Sequence, residues 1–347
     1  MRILLSGGGS GGHLFPLIAV ARKIKEFYSK MPSQDTPEFL FIGPDHFSKV
    51  VVQKEGIRSA TILGAKVRFL FMPDVIFSKG GYASIPVVFW GWLFRIPIII
   101  HESDSMPGLA NRLLSRFAKR IIVSFQESAR YFPTAKVIAL GNPVREEMFQ
   151  KIPDDARQIL DIRSERPVIF VFGGSRGARE INDLLLLALP DLLKKYEIIH
   201  QCGEDNYKDM QKGAIVEIGD SNERRLYHLY ASLHEEEIAS AYKLAAVIVA
   251  RAGAGAIFEI ALSGKPSVLV PYAYSAGDHQ EKNAHSYAKE GAAIVLEGEN
   301  LKPHILINSI DLITENSQKA QIMSEAAQRF AKPDAAKRIA EELLKFA

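Results

Sequence analysis

The sequence predicts an α/β protein built from two doubly wound, parallel-sheet domains. Short apolar runs rich in β-branched residues alternate with longer helical patterns, the arrangement of a parallel sheet covered on both faces. The pattern restarts near the middle. "RILLSGGGSGGHLFPLIAVA" from Arg2 and "PVIFVFGGSRGAREINDLLLLAL" from Pro167 each read as strand, Gly-rich turn and helix. The 347 residues, 47% of them apolar, suffice for two domains of ordinary size.

In the first half, "RILLS", "EFLFIG", "PDVIFSK", "IPIIIH", "RIIVSF" and "KVIALG" are strands, each rich in β-branched or aromatic residues. Leu14 to Lys30 is a helix with Leu14, Leu17, Ile18, Ala21 and Ile24 on one face. "GNPVREEMFQKIPDDARQ" from Gly141 replaces strands with charge and proline, so the domains are set at 1–145 and 146–331. "PVIFVF", "YEIIHQCG", "AAVIVARAGAG", "PSVLVPY" and "AAIVLEG" form the second strand series. The closing segment, 332–347, is an amphipathic helix that Asp334 caps, with Ile339, Leu343 and Leu344 facing one way.

Charged residues make up 24% and the net charge is only +3, so no nucleic-acid-binding tail is present. That mild balance is compatible with anionic lipid or a diphosphate substrate. The single cysteine, Cys202, excludes a disulfide scaffold, argues against a thiolate metal site and fits a reducing, cytoplasmic compartment. The opening "MRILLSGGG" is too short and too soon broken by glycine for a signal peptide. "IPVVFWGWLFRIPIIIH" from Ile85 is interrupted by Arg95 and has Pro86 and Pro97 near its ends. It reads as a helix and a buried strand, not a membrane span. The chain is expected to be soluble or at most peripheral to a membrane.

Several stretches could carry chemistry. The loop "GGGSGGH" is either a tight turn or a phosphate cradle at a helix N-terminus. It matches neither a Walker loop nor a dinucleotide fingerprint. His13 stands at the carboxyl end of strand one, where open α/β sheets place ligands. It reads as a base, a ligand contact or a solvated residue. "GGSRGAREIN" repeats the device, with Ser175 and following amides facing a second phosphate or simply forming a turn. In "ARAGAGAIFEIALSG", Glu259 follows a glycine-rich helix start, where a carboxylate suits two ribose hydroxyls. The alternative is a surface glutamate. "GDHQEKNA" offers His279, Gln280 and Asn283 to sugar hydroxyls, or is a solvated loop. His101 and Glu102 end a buried strand, a pairing of titratable groups that points to a site. Adjacent on an extended strand, they face opposite ways, and no convincing metal-ligand set accompanies them. Arg145 in "GNPVR" is a natural counter-charge for a diphosphate.

In this order the motifs resemble the MurG family, the UDP-N-acetylglucosamine:lipid-linked muramoyl-pentapeptide N-acetylglucosaminyltransferases of peptidoglycan synthesis. The matching stretches are "GGGSGGHLFPLIAVA", "PDVIFSKGGYASIPVV", "IPIIIHESDSMPGLANRLL", "GNPVREE", "VFGGSRGAREIN", "RAGAGAIFEIALSGKPSVLVPY" and "GDHQEKNA". They span nearly the whole chain, and the ordered set is far more specific than any one of them. The resemblance implies a GT-B fold of two Rossmann-like domains, with the closing helix crossing back to the first. It implies UDP-GlcNAc on the C-terminal domain and the lipid-linked acceptor on the N-terminal domain, at the anionic cytoplasmic face of the cell membrane. A place in a cell-wall synthesis complex goes with it.

Carried over by motif, Ser10, Gly11 and Gly12 lie beside the donor, and Arg145 and Ser175 contact its diphosphate. Ala254, Gly255, Ala256, Ile257 and Phe258 wrap the nucleotide, Glu259 holds the ribose, and Gln280 contacts the sugar. The reaction needs a base near the acceptor hydroxyl and positive potential at the leaving diphosphate. His13 is the first choice of base and Glu102 the second. Helix N-termini and Arg145 supply the potential, with no cofactor and no metal.

Three departures from the family pattern stand out. Asp104 in "HESD", which the resemblance places among the UDP-GlcNAc-binding residues, replaces a neutral amide. Ala256 replaces a threonine. Only "LGAKVRFL" stands where the family has a longer, membrane-docking insert, and a crossover between parallel strands ordinarily needs a dozen or more residues. Trp90, Trp92 and Phe94 either provide remaining interfacial aromatics or pack against the sheet. Two other readings are a related UDP-sugar transferase with another acceptor, and a nucleotide-sugar-binding protein impaired in catalysis by the shortened acceptor region.

Overall fold

The computed structural model describes every residue except 9–10, 32–35, 45, 61–70, 151–152, 175–176, 220 and 347. The chain divides into two compact units, Met1–Arg145 with Lys332–Ala347, and Glu146–Ala331.

Unit 1 holds seven parallel strands: β1 (Arg2–Ser6), β2 (Glu38–Ile42), β3 (Arg58–Ala60), β4 (Val75–Ser78), β5 (Ile98–Glu102), β6 (Arg120–Val123) and β7 (Val137–Ala139). Their order is β3-β2-β1-β4-β5-β6-β7, so the winding reverses between β1 and β4. Ile3, Leu5, Phe39, Phe41, Phe77 and Ile99 point to one face. There they meet the buried stripe of α1 (Gly11–Ser29), Leu14, Leu17, Ile18, Ala21 and Ile24, and Ile339, Ala340 and Leu343 of the terminal helix Ala335–Leu344. Ile76, Ile98, Ile100 and Val123 point to the other face and pack on Val87 and Val88 of α3 (Ser84–Leu93) and Leu114 of α4 (Leu109–Leu114). Between them in sequence lies α2 (His46–Lys54), which adds Val52 to the first face. Burial on both faces is why these strands read as continuous apolar runs.

Unit 2 repeats the plan with β8 (Val168–Phe172), β9 (Glu197–Gln201), β10 (Tyr227–Tyr230), β11 (Ala245–Ala250), β12 (Ser267–Leu269) and β13 (Ala293–Val295). The order is β10-β9-β8-β11-β12-β13, all parallel, and the reversal falls between β8 and β11. Its helices of ten or more residues are α5 (Arg179–Leu192), α6 (Tyr207–Ile218), α7 (Glu235–Leu244), α8 (Ala254–Ser263), α9 (His279–Lys289), α10 (Pro303–Thr314) and α11 (Ser317–Phe330). Ile169, Val171, Ile198, Val247 and Val249 pack on α5 and α10. Phe170 and Phe172 stack at 4.8 Å on the opposite face and meet Tyr242 of α7 edge-on.

Three sequence expectations change. The edge strands β3 ("RSA") and β10 ("YHLY") carry no apolar run, because each pairs on one side only and stays part-exposed. Asp334 occupies the N-cap position of the terminal helix, yet its side chain makes no capping hydrogen bond; only its carbonyl joins the ladder, accepting Arg338 N–H at 2.9 Å. Helix α1 begins at Gly11, three residues before the predicted start, so His13 sits inside its first turn. The shortened connection "LGAKVRFL" lies outside the described residues.

Candidate active site

In an open α/β sheet the loops after the strands diverge at the winding reversal and leave a crevice lined by backbone amides and helix N-termini. Each unit has one.

In unit 1 the reversal brings together the loop after β1, with Gly7 and Gly8, and the turn after β4, Lys79-Gly80-Gly81. Gly80 has φ +79°, and a Cβ there would lie 2.4 Å from Asn111 Oδ1. Only glycine fits both the angle and the space. Half-buried His13 turns back over the loop, and its Nδ1 accepts the Gly8 N–H at 3.1 Å. The neutral ring therefore carries its proton on Nε2, and the lone pair is the one facing Gly8.

The loop after β5 is organised by Glu102, which is 3% exposed. Its carboxylate accepts Asp104 N–H at 3.0 Å, Gly108 N–H at 3.2 Å and Asn111 Nδ2 at 2.9 Å. Burial, then the charge of Asp104, pushes its pKa up to about 7. His101, on the other side of the strand, directs Nε2 to the Gly141 carbonyl at 3.1 Å and Nδ1 to Lys79. Burial, reinforced by the Lys79 charge, holds His101 well below its ordinary pKa, so it is neutral. Burial likewise lowers Lys79 to about 7 against the opposing pull of Glu102 and Asp104. Lys79 also donates to Ser103 Oγ, and Ser103 donates to Asn142 Oδ1 at 3.0 Å. Arg145 is buried to 8% exposure with its guanidinium 4.4 Å from the Phe15 ring centroid on α1. Asp104 is half-buried at the loop's turn.

In unit 2 the loop after β8 contains Gly173, Gly174 and Gly177 and opens helix α5. Asn182 Nδ2 and Asn206 Nδ2 both donate to the Cys202 carbonyl, at 3.1 and 3.0 Å, and that carbonyl abuts Gly177. His200 Nε2 supports Asn182 Oδ1 at 3.1 Å. Across the reversal, Arg251 Nη1 donates to Glu180 Oε2 at 2.8 Å and its guanidinium lies 4.8 Å from the Tyr272 ring centroid. It thereby ties the ends of β11 and β12 to the first turn of α5.

Helix α8 starts after Gly253 with no side-chain cap, so no N-cap side chain occupies the amides of its first turn. Gly255 and Ala256 are half-buried there, whereas Ile257 (0%) and Phe258 (2%) are core side chains, and Phe258 packs on Phe330 at 5.1 Å. Of the predicted wrap Ala254 to Phe258, those last two can offer only backbone. Glu259, half-buried one turn further, accepts a hydrogen bond from Tyr242 at 3.3 Å. Gln280, in the first turn of α9, accepts Tyr272 N–H at 3.1 Å. Asn283 is fully buried and donates to the Ala252 carbonyl at 3.3 Å, so it pegs the α8 entry and does not face a sugar.

Gly11 and Gly12 open α1, while Ser10 and Ser175 lie outside the described residues. Away from these loops, Glu281, His285 and Glu297 bring side-chain nitrogen and oxygen atoms within 4.8 Å of one another, at the surface of α9 and just past β13. The reading of sequence missed Lys79, Asn111, Asn142 and Arg251. Lys79 and Arg251 each follow an apolar strand directly, at the carboxyl edge of their sheets.

The Glycosyltransferase family 28 C-terminal domain matches residues 168–339, and the family's N-terminal domain matches residues 70–123. A UDP-N-acetylglucosamine–N-acetylmuramyl-(pentapeptide) pyrophosphoryl-undecaprenol N-acetylglucosamine transferase of Bacillus cereus is 35% identical over 345 residues, covering 92% of this chain and 93% of the relative. The Bacillus cytotoxicus enzyme of the same name is 34% identical and covers 98% of both. Among solved structures, Acinetobacter baumannii MurG superposes with a TM-score of 0.75 at 25% identity, covering 99% of each chain. The UDP-GlcNAc 2-epimerase of Neisseria meningitidis, bound to UDP-GlcNAc, superposes at 0.72 with 14% identity over 99% of this chain, a likeness of fold alone.

Proposed function

From the premise that the chain belongs to the MurG family and has its GT-B fold, we propose how it moves N-acetylglucosamine from UDP-GlcNAc to the lipid-linked muramoyl-pentapeptide of peptidoglycan synthesis. The observation that carries the reading is the pair of winding reversals, one per unit, each flanked by a glycine-rich turn.

The acceptor 4-hydroxyl attacks the anomeric carbon, the bond from that carbon to the UDP oxygen breaks, and the configuration inverts. UDP leaves as an anion, and the hydroxyl proton passes to a base. On the donor side, the glycine-rich turn after β8 and the α8 N-terminus stabilise the diphosphate as charge builds on it. Arg145 adds a fixed positive charge. Glu259 accepts from the ribose hydroxyls, with Tyr242 holding its other valence in place.

His13 serves as base through Nδ1. That lone pair accepts Gly8 N–H in the structure, so substrate must first take the Gly8 amide, which a phosphate or sugar oxygen can do. Engagement of substrate thus uncovers the base. Glu102 has three N–H donors on its carboxylate, and its role is to set the loop bearing Asp104.

The acceptor is lipid-linked, and α3 offers a surface for the anionic cytoplasmic membrane face. Val87, Val88 and Gly91 are buried, while Phe89, Trp90, Trp92, Leu93 and Phe94 are 40–57% exposed. Leu109 and Leu113 of α4 extend the patch, and Arg95, Arg112 and Arg116 are exposed nearby. Aromatics beside arginines suit interfacial docking. No helix among the described residues is long and apolar enough to cross a membrane.

NMR of the product tests the chemistry: a β-linked disaccharide with one UDP released per linkage is expected, and retention of the α configuration would refute direct displacement. Sedimentation with phosphatidylglycerol vesicles tests docking. Trp92→Glu/Phe94→Glu should abolish co-sedimentation while leaving turnover of a short-chain acceptor intact, and unchanged co-sedimentation would exclude this face.

A further inference from the structure

Lys79 is the most deeply buried charged side chain among the described residues of unit 1, at 2% exposure. It follows β4 directly, and its backbone N–H bonds the Ser6 carbonyl of β1 at 2.8 Å. Its stem lies against Gly7, whose added Cβ would sit 3.4 Å from Lys79 Cβ. Its ammonium has three acceptors, all neutral: His101 Nδ1, Ser103 Oγ and, at 3.4 Å, Asn142 Oδ1. The His101 role is fixed by its partner, because Nε2 faces the Gly141 carbonyl, a pure acceptor, and so carries the proton. Asn142 is oriented the same way. Its Oδ1 takes both Lys79 and Ser103, and its Nδ2 is left buried with no hydrogen-bond partner among the described residues.

A buried ammonium with no touching carboxylate is costly. A methionine would fill the same volume without that cost, but it could not join these groups. The three acceptors lie on two segments, both distant in sequence from Lys79. His101 is the penultimate residue of β5 and Ser103 opens the loop that carries Asp104, while Asn142 stands three residues before Arg145.

We propose that Lys79 is a positioning residue for the transfer: one buried ammonium fixes the glycine turn after β4, the loop carrying Asp104 and the segment carrying Arg145 relative to one another. The inference rests on the reading above, in which those segments meet the substrates. A single side chain then sets the placement of the loop carrying Asp104 and of the segment carrying Arg145. Displacement by about 1 Å at such a distance from the reacting atoms is enough to cost on the order of 100-fold in rate.

The test uses the full chain with Lys79→Met, Asn142→Ala and the double variant. Steady-state transfer from UDP-GlcNAc to a lipid I analogue is measured alongside UDP affinity by calorimetry. Lys79→Met is expected to lower kcat/KM for both substrates by about 10- to 100-fold and to weaken UDP binding. The double variant should be no worse than Lys79→Met alone, because the two side chains act through one contact. Ethylammonium added to Lys79→Ala should restore part of kcat/KM, which a loss of stability alone would not allow. Should Lys79→Met fail to fold, Ser103→Ala and Asn142→Ala, singly and together, carry the same non-additivity test. Wild-type kinetics and UDP affinity in Lys79→Met, or strictly additive effects, would overturn the proposal. A wild-type chain that binds UDP-GlcNAc without transfer would overturn the function reading instead, and UDP affinity would still report on Lys79 through Arg145.

Discussion

Gly177→Ala should damage the donor half more than any other single methyl group. Gly177 has φ +73°, a left-handed conformation that costs a residue with a Cβ about 1–2 kcal/mol. The added Cβ would also lie 2.1 Å from the Cys202 carbonyl oxygen. Relief of that overlap requires the carbonyl to move. It accepts Asn182 at 3.1 Å and Asn206 at 3.0 Å, and each such bond contributes about 1 kcal/mol net. The sum is about 3–4 kcal/mol, a large part of a domain's stability. Urea unfolding followed by circular dichroism measures the loss, and hydrogen exchange of the β8 and β9 amides assigns it to unit 2. UDP affinity should fall at least tenfold, since the same loop is proposed to cradle the diphosphate. A variant within about 0.5 kcal/mol of wild type, with unchanged UDP affinity, would refute both the packing argument and the assigned role of the loop.

Two further outcomes follow from the same geometry. Glu259→Ala should weaken UDP binding with little change in stability, and calorimetry showing unchanged affinity would remove the ribose assignment. Glu102 and Lys79 make opposite contributions to pH-dependent stability. With Glu102 raised from 4.5 to about 7, the folded chain keeps a proton that the unfolded chain loses, and stability falls as pH rises across that window. With Lys79 lowered from 10.5 to about 7, the unfolded chain keeps the proton, and stability rises with pH above 7. The difference in stability between wild type and Lys79→Met/Glu102→Gln should therefore be least favourable to wild type near pH 7 and should recover toward pH 5 and toward pH 9. Thermal melts across that range check it, and a flat difference would show that neither group is perturbed by burial.

Much of the fold was legible because central strands of a parallel sheet are buried on both faces. "RILLS", "IPIIIH" and "PVIFVF" could be little else. Strands β3 and β10 escaped because an edge strand needs no such run, and "RSA" and "YHLY" look like loop. Candidate residues stood out where a titratable group marks the carboxyl end of a strand, as His13 does beside the glycine loop after β1 and His101-Glu102 do as the last two residues of β5. It was not legible where a residue's usual habit misleads. Lysine is ordinarily solvated, so nothing in "FSKGG" marks Lys79 as buried, and Asn142 and Asn111 matter through partners distant in sequence. The exposed face of α3 was ambiguous for a similar reason. "VVFWGWLF" is apolar all round, and only packing decides which aromatics remain outside.

The most direct measurement is transfer itself. Purified protein is incubated with labelled UDP-GlcNAc and a lipid I analogue in the presence of a chelator, and label in the lipid product is counted against UDP released. The account predicts stoichiometric transfer, lost in His13→Ala. Tight UDP-GlcNAc binding with no label reaching the acceptor would contradict it and leave a nucleotide-sugar-binding protein in its place.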